Sequence, residues 1–179
     1  IAVNKYEIMF NHVNFTYPNT RKKVLRDITF KITPGEKVCI VGRNGAGKST
    51  IIKLLCGIYQ PDCGTIEING VNINDISIDS MKKIRSVVFQ DYYRYYSTIR
   101  ENVSYSDIEQ MFNDDRIKET LMRSQADDFV VGLQSKFETH LGNIEDDGVD
   151  LSSGQWQKLA IARAVFPKSS FIILDEPTA

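Results

Sequence analysis

Residues 37–58 read KVCIVGRNGAGKSTIIKLLCGI. The first five, Lys37 to Val41, are apolar and branched enough for a short strand, and they run directly into Gly42. The last eight place Ile51, Ile52, Leu54, Leu55 and Ile58 at helical spacing, and Gly57 with Pro61 ends that pattern. Between them, Gly42 to Ser49 fits G-x-x-x-x-G-K-S. Glycines in such a loop let backbone N–H groups converge on phosphate oxygens with no Cβ in the way. The helix that follows aims its positive end at the same anion. Lys48 is placed to neutralise β- and γ-phosphates, and the Ser49 hydroxyl to meet a Mg²⁺ ion. A strand, a phosphate loop and a helix in that order predict an α/β fold.

Upstream, residues 6–15 and 24–32 are rich in aromatic and branched side chains, and the second run alternates apolar with polar. Both predict strands. Downstream, 65–68 and 71–73 flank Asn69-Gly70, a hairpin signal. Residues 84–89 (IRSVVF) predict a buried strand ending at Gln90. From 98 to 140 the apolar positions Ile99, Val103, Ile117, Leu121 and Phe129 recur among many charges, so this stretch predicts a mostly helical lobe. Residues 154–166 predict an amphipathic helix stopped by Pro167, and 171–174 a buried strand.

Composition narrows the function. Of 179 residues, 42% are hydrophobic and 25% charged, enough for a packed core. Twenty-two basic against 23 acidic residues give a net charge of −1, which argues against a general nucleic-acid binder. No apolar run approaches the ~20 residues of a membrane span, and residues 1–7 lack a signal-peptide core. Three cysteines, Cys39, Cys56 and Cys63, form no CxxC pair and lie far from His12 and His140, so neither a zinc site nor a disulfide framework is expected. A start at Ile1 and a stop just after an apolar strand suggest a fragment.

Two further stretches carry chemistry. Phe171 to Leu174 lead into Asp175 and Glu176. Ligands of parallel α/β sheets sit at the carboxyl ends of strands, so Asp175 is placed to hold Mg²⁺ and Glu176 to polarise an attacking water. Leu151-Ser152-Ser153-Gly154-Gln155 opens the 154–166 helix. Its small residues suit an anion site at a helix start, and they equally suit a plain N-cap.

The order of phosphate loop, LSSGQ and IILDEPTA resembles the nucleotide-binding domain of ABC transporters, from Tyr6 to Ala179. The resemblance implies an ATP- and Mg²⁺-dependent ATPase with a P-loop core sheet and antiparallel β lobe at about 1–90 and 153–179, and a helical lobe at about 91–152. ATP would lie on Gly42, Asn44, Gly45, Ala46, Gly47, Lys48, Ser49 and Thr50, with Tyr17 stacked on adenine. Ser49, Gln90 and Asp175 would serve the metal; Glu176, Lys48 and Gln90 would serve catalysis. Ser152, Ser153, Gly154 and Gln155 would reach the ATP of a second such domain in a head-to-tail dimer. Asp147-Gly148 would contact that partner. Residues 89–103 (FQDYYRYYSTIRENV) resemble the exporter type; the four tyrosines around Arg94 suit base stacking on a single strand or a coupling surface for a transmembrane domain at the cytoplasmic face of a membrane, and the non-basic net charge and the place after Gln90 favour coupling.

Two departures stand out. Ser153 occupies a position usually glycine, and no histidine follows Glu176. This exact chain is therefore expected to hydrolyse ATP weakly or not at all. Two rival classes are a soluble family member acting on nucleic acid or ribosomes, and a non-hydrolysing regulator. Near-neutral charge disfavours the first, and Glu176 the second. About a hundred residues between Lys48 and Ser152 leave no room for a long coiled-coil arm.

Overall fold

The computed structural model describes residues 6–142 and 148–175. They form two compact units, one ending at Ile84 and one beginning at Arg85.

The first unit is built on β1 (Ile8–Thr16), β2 (Lys23–Ile32), β3 (Cys63–Ile68) and β4 (Val71–Asn72), an antiparallel sheet in the order β2-β1-β3-β4. Ile8 and Phe10 are buried, as are Val13 and Phe15. The period of two between them slips by one residue, because the register of β1 on β2 shifts between Phe10 and Val13. His12 and Asp27 sit at that bulge with φ of 50° and 52°, and His12 Nδ1 lies 2.6 Å from Asp27 Oδ1. Gly64 completes it: at φ +87°, a Cβ there would run into the His12 and Asn11 carbonyl oxygens. The Asn69-Gly70 turn has both residues at positive φ, 52° and 77°, as a type I′ hairpin requires.

Helix α1 (Lys48–Leu55) buries Thr50, Ile52, Leu54 and Leu55. A second helix, α2 (Ile78–Ile84), was not anticipated by the apolar spacing; Met81 is its one buried side chain. Residues 37–41 form no strand, contrary to the expectation. Strand propensity becomes a strand only on a ladder, and neither sheet pairs with this segment. Val41 is accordingly 86% exposed.

The second unit holds a parallel pair, β5 (Arg85–Val88) beside β6 (Phe171–Leu174), in register from Arg85–Phe171 to Val88–Leu174. Around it stand α3 (Ile99–Ser104), α4 (Asp114–Arg123), α5 (Asp127–Val130) and α6 (Ser153–Val165). The helical pattern read across 98–140 is thus real, but broken into short pieces. Ile99, Val103, Ile117, Leu121, Trp156, Leu159 and Phe166 make one buried cluster that joins α3 and α4 to α6. Arg100 braces its rim with Nη1 at 2.6 Å from Asp114 and Nε at 2.6 Å from Glu138. Burial works against that charge, but the two carboxylates outweigh it and hold the guanidinium above its ordinary range. The fold is α/β, with an antiparallel sheet, a parallel pair and a helical cluster. Among the described residues no helix is long and apolar enough to cross a membrane.

Candidate functional site

The candidate residues fall into two groups, one in each unit. In the first, the loop 42–47 climbs into α1 through two left-handed glycines, Gly45 at φ 77° and Gly47 at φ 95°. The Ala46 N–H donates to the Arg43 carbonyl at 3.1 Å and closes the turn. Gly47 caps α1 with no side-chain hydrogen bond, and no acid sits in the first turn. The positive end of the helix therefore has no carboxylate of its own to neutralise it. Lys48 turns back along the loop and donates from Nζ to the Gly42 carbonyl at 2.9 Å and the Arg43 carbonyl at 3.3 Å. Gly42, Asn44, Gly45 and Ala46 are exposed, and Ser49 is half-buried beside Lys48. A loop of this shape offers N–H groups and an ammonium to an exposed anion, which fits a nucleotide phosphate chain.

Tyr17 follows β1 in this unit. Its hydroxyl lies 2.9 Å from the Thr50 hydroxyl. Its ring meets Phe15 and Tyr59 edge-on, with centroids 5.0 and 5.3 Å away. Lys53 Nζ lies 5.7 Å from the ring centre. The family resemblance implies a base-stacking role for this aromatic; the bond to Thr50, one residue past the loop's serine, ties it to α1. Just before the loop, the Glu36 carboxylate accepts from the Thr33 N–H and hydroxyl at 2.9 and 3.1 Å, which holds its pKa below the ordinary value.

In the second unit, Gln90 and Asp175 stand just past the carboxyl ends of β5 and β6. The ladder carries one bond further, from the Asp175 N–H to the Val88 carbonyl at 2.9 Å. Parallel pairing therefore brings both residues to one edge. They line a cleft of about 370 Å³ together with Arg94, Ser153, Gly154 and Gln157. Asp175 is 8% exposed. Glu176 and Asp147 lie outside the described residues.

At the start of α6, Ser152 and Gln155 form a capping box. Ser152 Oγ accepts from the Gln155 N–H at 3.3 Å, and Gln155 Oε1 accepts from the Ser152 N–H at 2.9 Å. The plain N-cap is thus present, and it occupies the Gln155 side chain. Ser153 and Gly154 stay exposed within the cleft. The two readings of LSSGQ are compatible: the cap shapes the helix start and leaves the next two residues open.

Three residues around this site make contacts that the sequence did not predict, although Tyr92 and Asn102 fall within the tyrosine-rich stretch 89–103. The Tyr92 hydroxyl donates to the Ser153 carbonyl at 3.0 Å. Asn102 is fully buried and donates to the Tyr95 and Thr98 carbonyls at 2.9 and 3.1 Å. Arg163 donates to Asn102 Oδ1 at 3.0 Å, to the Asn102 carbonyl at 3.1 Å and to the Tyr93 carbonyl at 3.1 Å. Its guanidinium also stacks 4.4 Å above the Tyr95 ring. Burial pulls the Arg163 pKa below its ordinary value. A half-buried arginine with carbonyl partners looks, in sequence, like any charge on a helix face.

With this geometry in view, comparison with known proteins is informative. The family model described as ABC transporter matches residues 25–179. The subtilin transport ATP-binding protein SpaT of Bacillus subtilis is 40% identical over 174 residues, which are 97% of this chain and 28% of that protein. The nisin transport ATP-binding protein NisT of Lactococcus lactis is 39% identical over 168 residues, 94% of this chain and 28% of that one. The solved structure of a bacterial Atm1-family ABC exporter with ATP bound matches at a TM-score of 0.88 and 30% identity, covering 100% of this chain and 30% of that one. The chain thus spans less than a third of the length of these relatives. Motif order, fold and similarity over nearly the whole chain agree, and the chain belongs to the ABC transporter family.

Proposed function

We propose that this chain is the ATP-binding and ATP-hydrolysing motor of a membrane exporter. One observation carries the reading: a loop exposed from Gly42 to Ala46 whose two left-handed glycines lead into a helix with no side-chain cap, with Lys48 lying along it. Residues 1–90 and 153–179 would form the core and β lobe, and 91–152 the helical lobe. ATP would be held by Gly42, Asn44, Gly45, Ala46, Gly47, Lys48, Ser49 and Thr50, with Tyr17 against the base. Lys48 would release the Gly42 and Arg43 carbonyls to meet the β- and γ-phosphates. Ser49, Gln90 and Asp175 would be the donors for Mg²⁺, all hard oxygen ligands. When bound, that ion neutralises phosphate charge in the transition state.

Glu176 would orient and deprotonate the attacking water, and Gln90 would position it. Ser153 and Gly154, exposed at the start of α6, would meet the γ-phosphate of a nucleotide on a second domain, with Ser152 and Gln155 shaping that turn. The subtilin and nisin transport names and the exporter structure support a transporter motor, which would sit at the cytoplasmic face of a membrane beside a transmembrane domain. No nucleic-acid partner is expected at a net charge of −1.

The test is nucleotide binding and turnover in the full-length protein. Lys48→Ala should lose ATP·Mg binding by calorimetry, at least tenfold, about one charge-assisted phosphate contact. Glu176→Gln should keep binding and lose turnover. Wild-type protein that neither binds nor hydrolyses ATP sinks the reading.

A further inference from the structure

Helix α6 carries Ser153, Trp156, Ala160 and Arg163 at spacings of three and four residues, so all four share one face. That face meets the segment that follows Gln90 at every step. The Tyr92 hydroxyl holds the Ser153 carbonyl at 3.0 Å. The Tyr92 ring packs against the cluster of Val88, Ala160 and Ala164. Tyr96 meets Trp156 edge-on at 6.2 Å. Arg163 holds the Tyr93 carbonyl and stacks on Tyr95. Ser153 and Arg163 are ten residues apart, roughly 15 Å along the helix. Ties that far apart resist both sliding and pivoting of the helix against its neighbour.

We propose that Tyr92 and Arg163 are positioning residues that lock the start of α6 to the Gln90 segment. The exposed turn at Ser153 and Gly154 is thereby held in place against the residues that follow Gln90. This rests on the functional reading above. Tyr92 touches no reacting atom in this account; it sets where the first turn of α6 presents its N–H groups. Arg163 prevents the far end of the helix from swinging, because its planar fork engages three oxygens while its face covers Tyr95.

Tyr92→Phe keeps the ring and removes only the bond to Ser153. In the full-length protein, kcat per mole of bound nucleotide should fall about threefold to tenfold, the rate equivalent of one neutral hydrogen bond, with KM for ATP changed less than about twofold. KM is spared because nucleotide first meets the glycine loop, which Tyr92 does not touch. Arg163→Lys retains charge and loses the fork and the stacking, and should lower kcat per bound nucleotide in the same way. Unchanged kcat in Tyr92→Phe overturns the proposal. So does a fall in bound nucleotide that accounts for the whole loss of rate, because Tyr92 would then be structural only. Absence of turnover in the wild-type protein overturns the functional reading itself and this proposal with it.

Discussion

Gly47 and Gly45 both hold left-handed backbone in the same loop, but they do not bear the same load. At Gly45 a Cβ meets nothing within 4 Å, so Gly45→Ala carries only the conformational cost, about 1–2 kcal/mol. At Gly47 a Cβ would also meet Leu25 Cδ2 at 2.7 Å, and Leu25 is buried at 2% exposure. Leu25 must shift in a packed interior, which adds about 1 kcal/mol or more of overpacking. Urea unfolding should therefore show Gly47→Ala less stable than wild type by about 2–4 kcal/mol, and less stable than Gly45→Ala. Equal losses would mean that Leu25 yields freely. The sequence pattern named both glycines, since phosphate geometry demands them. It could not rank them, because the rank depends on a side chain 22 positions away.

Among the elements, local chemistry made some legible and left others hidden. The Asn69-Gly70 hairpin was readable because its turn type is specified by the two residues themselves. The β1 bulge was not, because Ile8, Phe10, Val13 and Phe15 depart from a period of two only where His12, Asp27 and Gly64 meet across three strands. Residues 37–41 failed the other way: their propensity is clear, and no ladder in either sheet receives them. The turn before that segment is held by the Glu36 carboxylate on Thr33, which makes a pH prediction possible. A carboxylate with a lowered folded pKa contributes stability above its unfolded value, here near 4.5, and loses it as pH falls through the lower folded value. The Thr33 amide resonance should titrate with a midpoint below 4.5, and Glu36→Gln should abolish that titration. A midpoint at or above 4.5 would show that the Thr33 bonds do not hold the carboxylate.

For the whole molecule, the proposed role of LSSGQ toward a second domain can be tested against a role in its own chain. Ser153 and Gly154 line the same cleft as Gln90 and Asp175 within one unit, which would suit a site completed in cis. Both residues are also exposed at the head of a 13-residue helix, which would suit a site completed by a second copy. Two inactive variants separate these arrangements. Lys48→Ala removes the loop cation and keeps α6 intact. Ser153→Glu sets a carboxylate against any phosphate at α6 and keeps the loop intact. If two copies form a head-to-tail dimer, a mixed pair has one site made from the intact loop of one copy and the intact α6 of the other. Its second site carries both defects. Each mixed pair then has one working site of two, so isolated mixed pairs should show about half of wild-type turnover although each variant is inactive alone. Turnover that stays at the level of the single variants would assign the signature to its own chain. The measurement is steady-state phosphate release from co-purified full-length protein, with the two variants differently tagged so that only mixed pairs are counted.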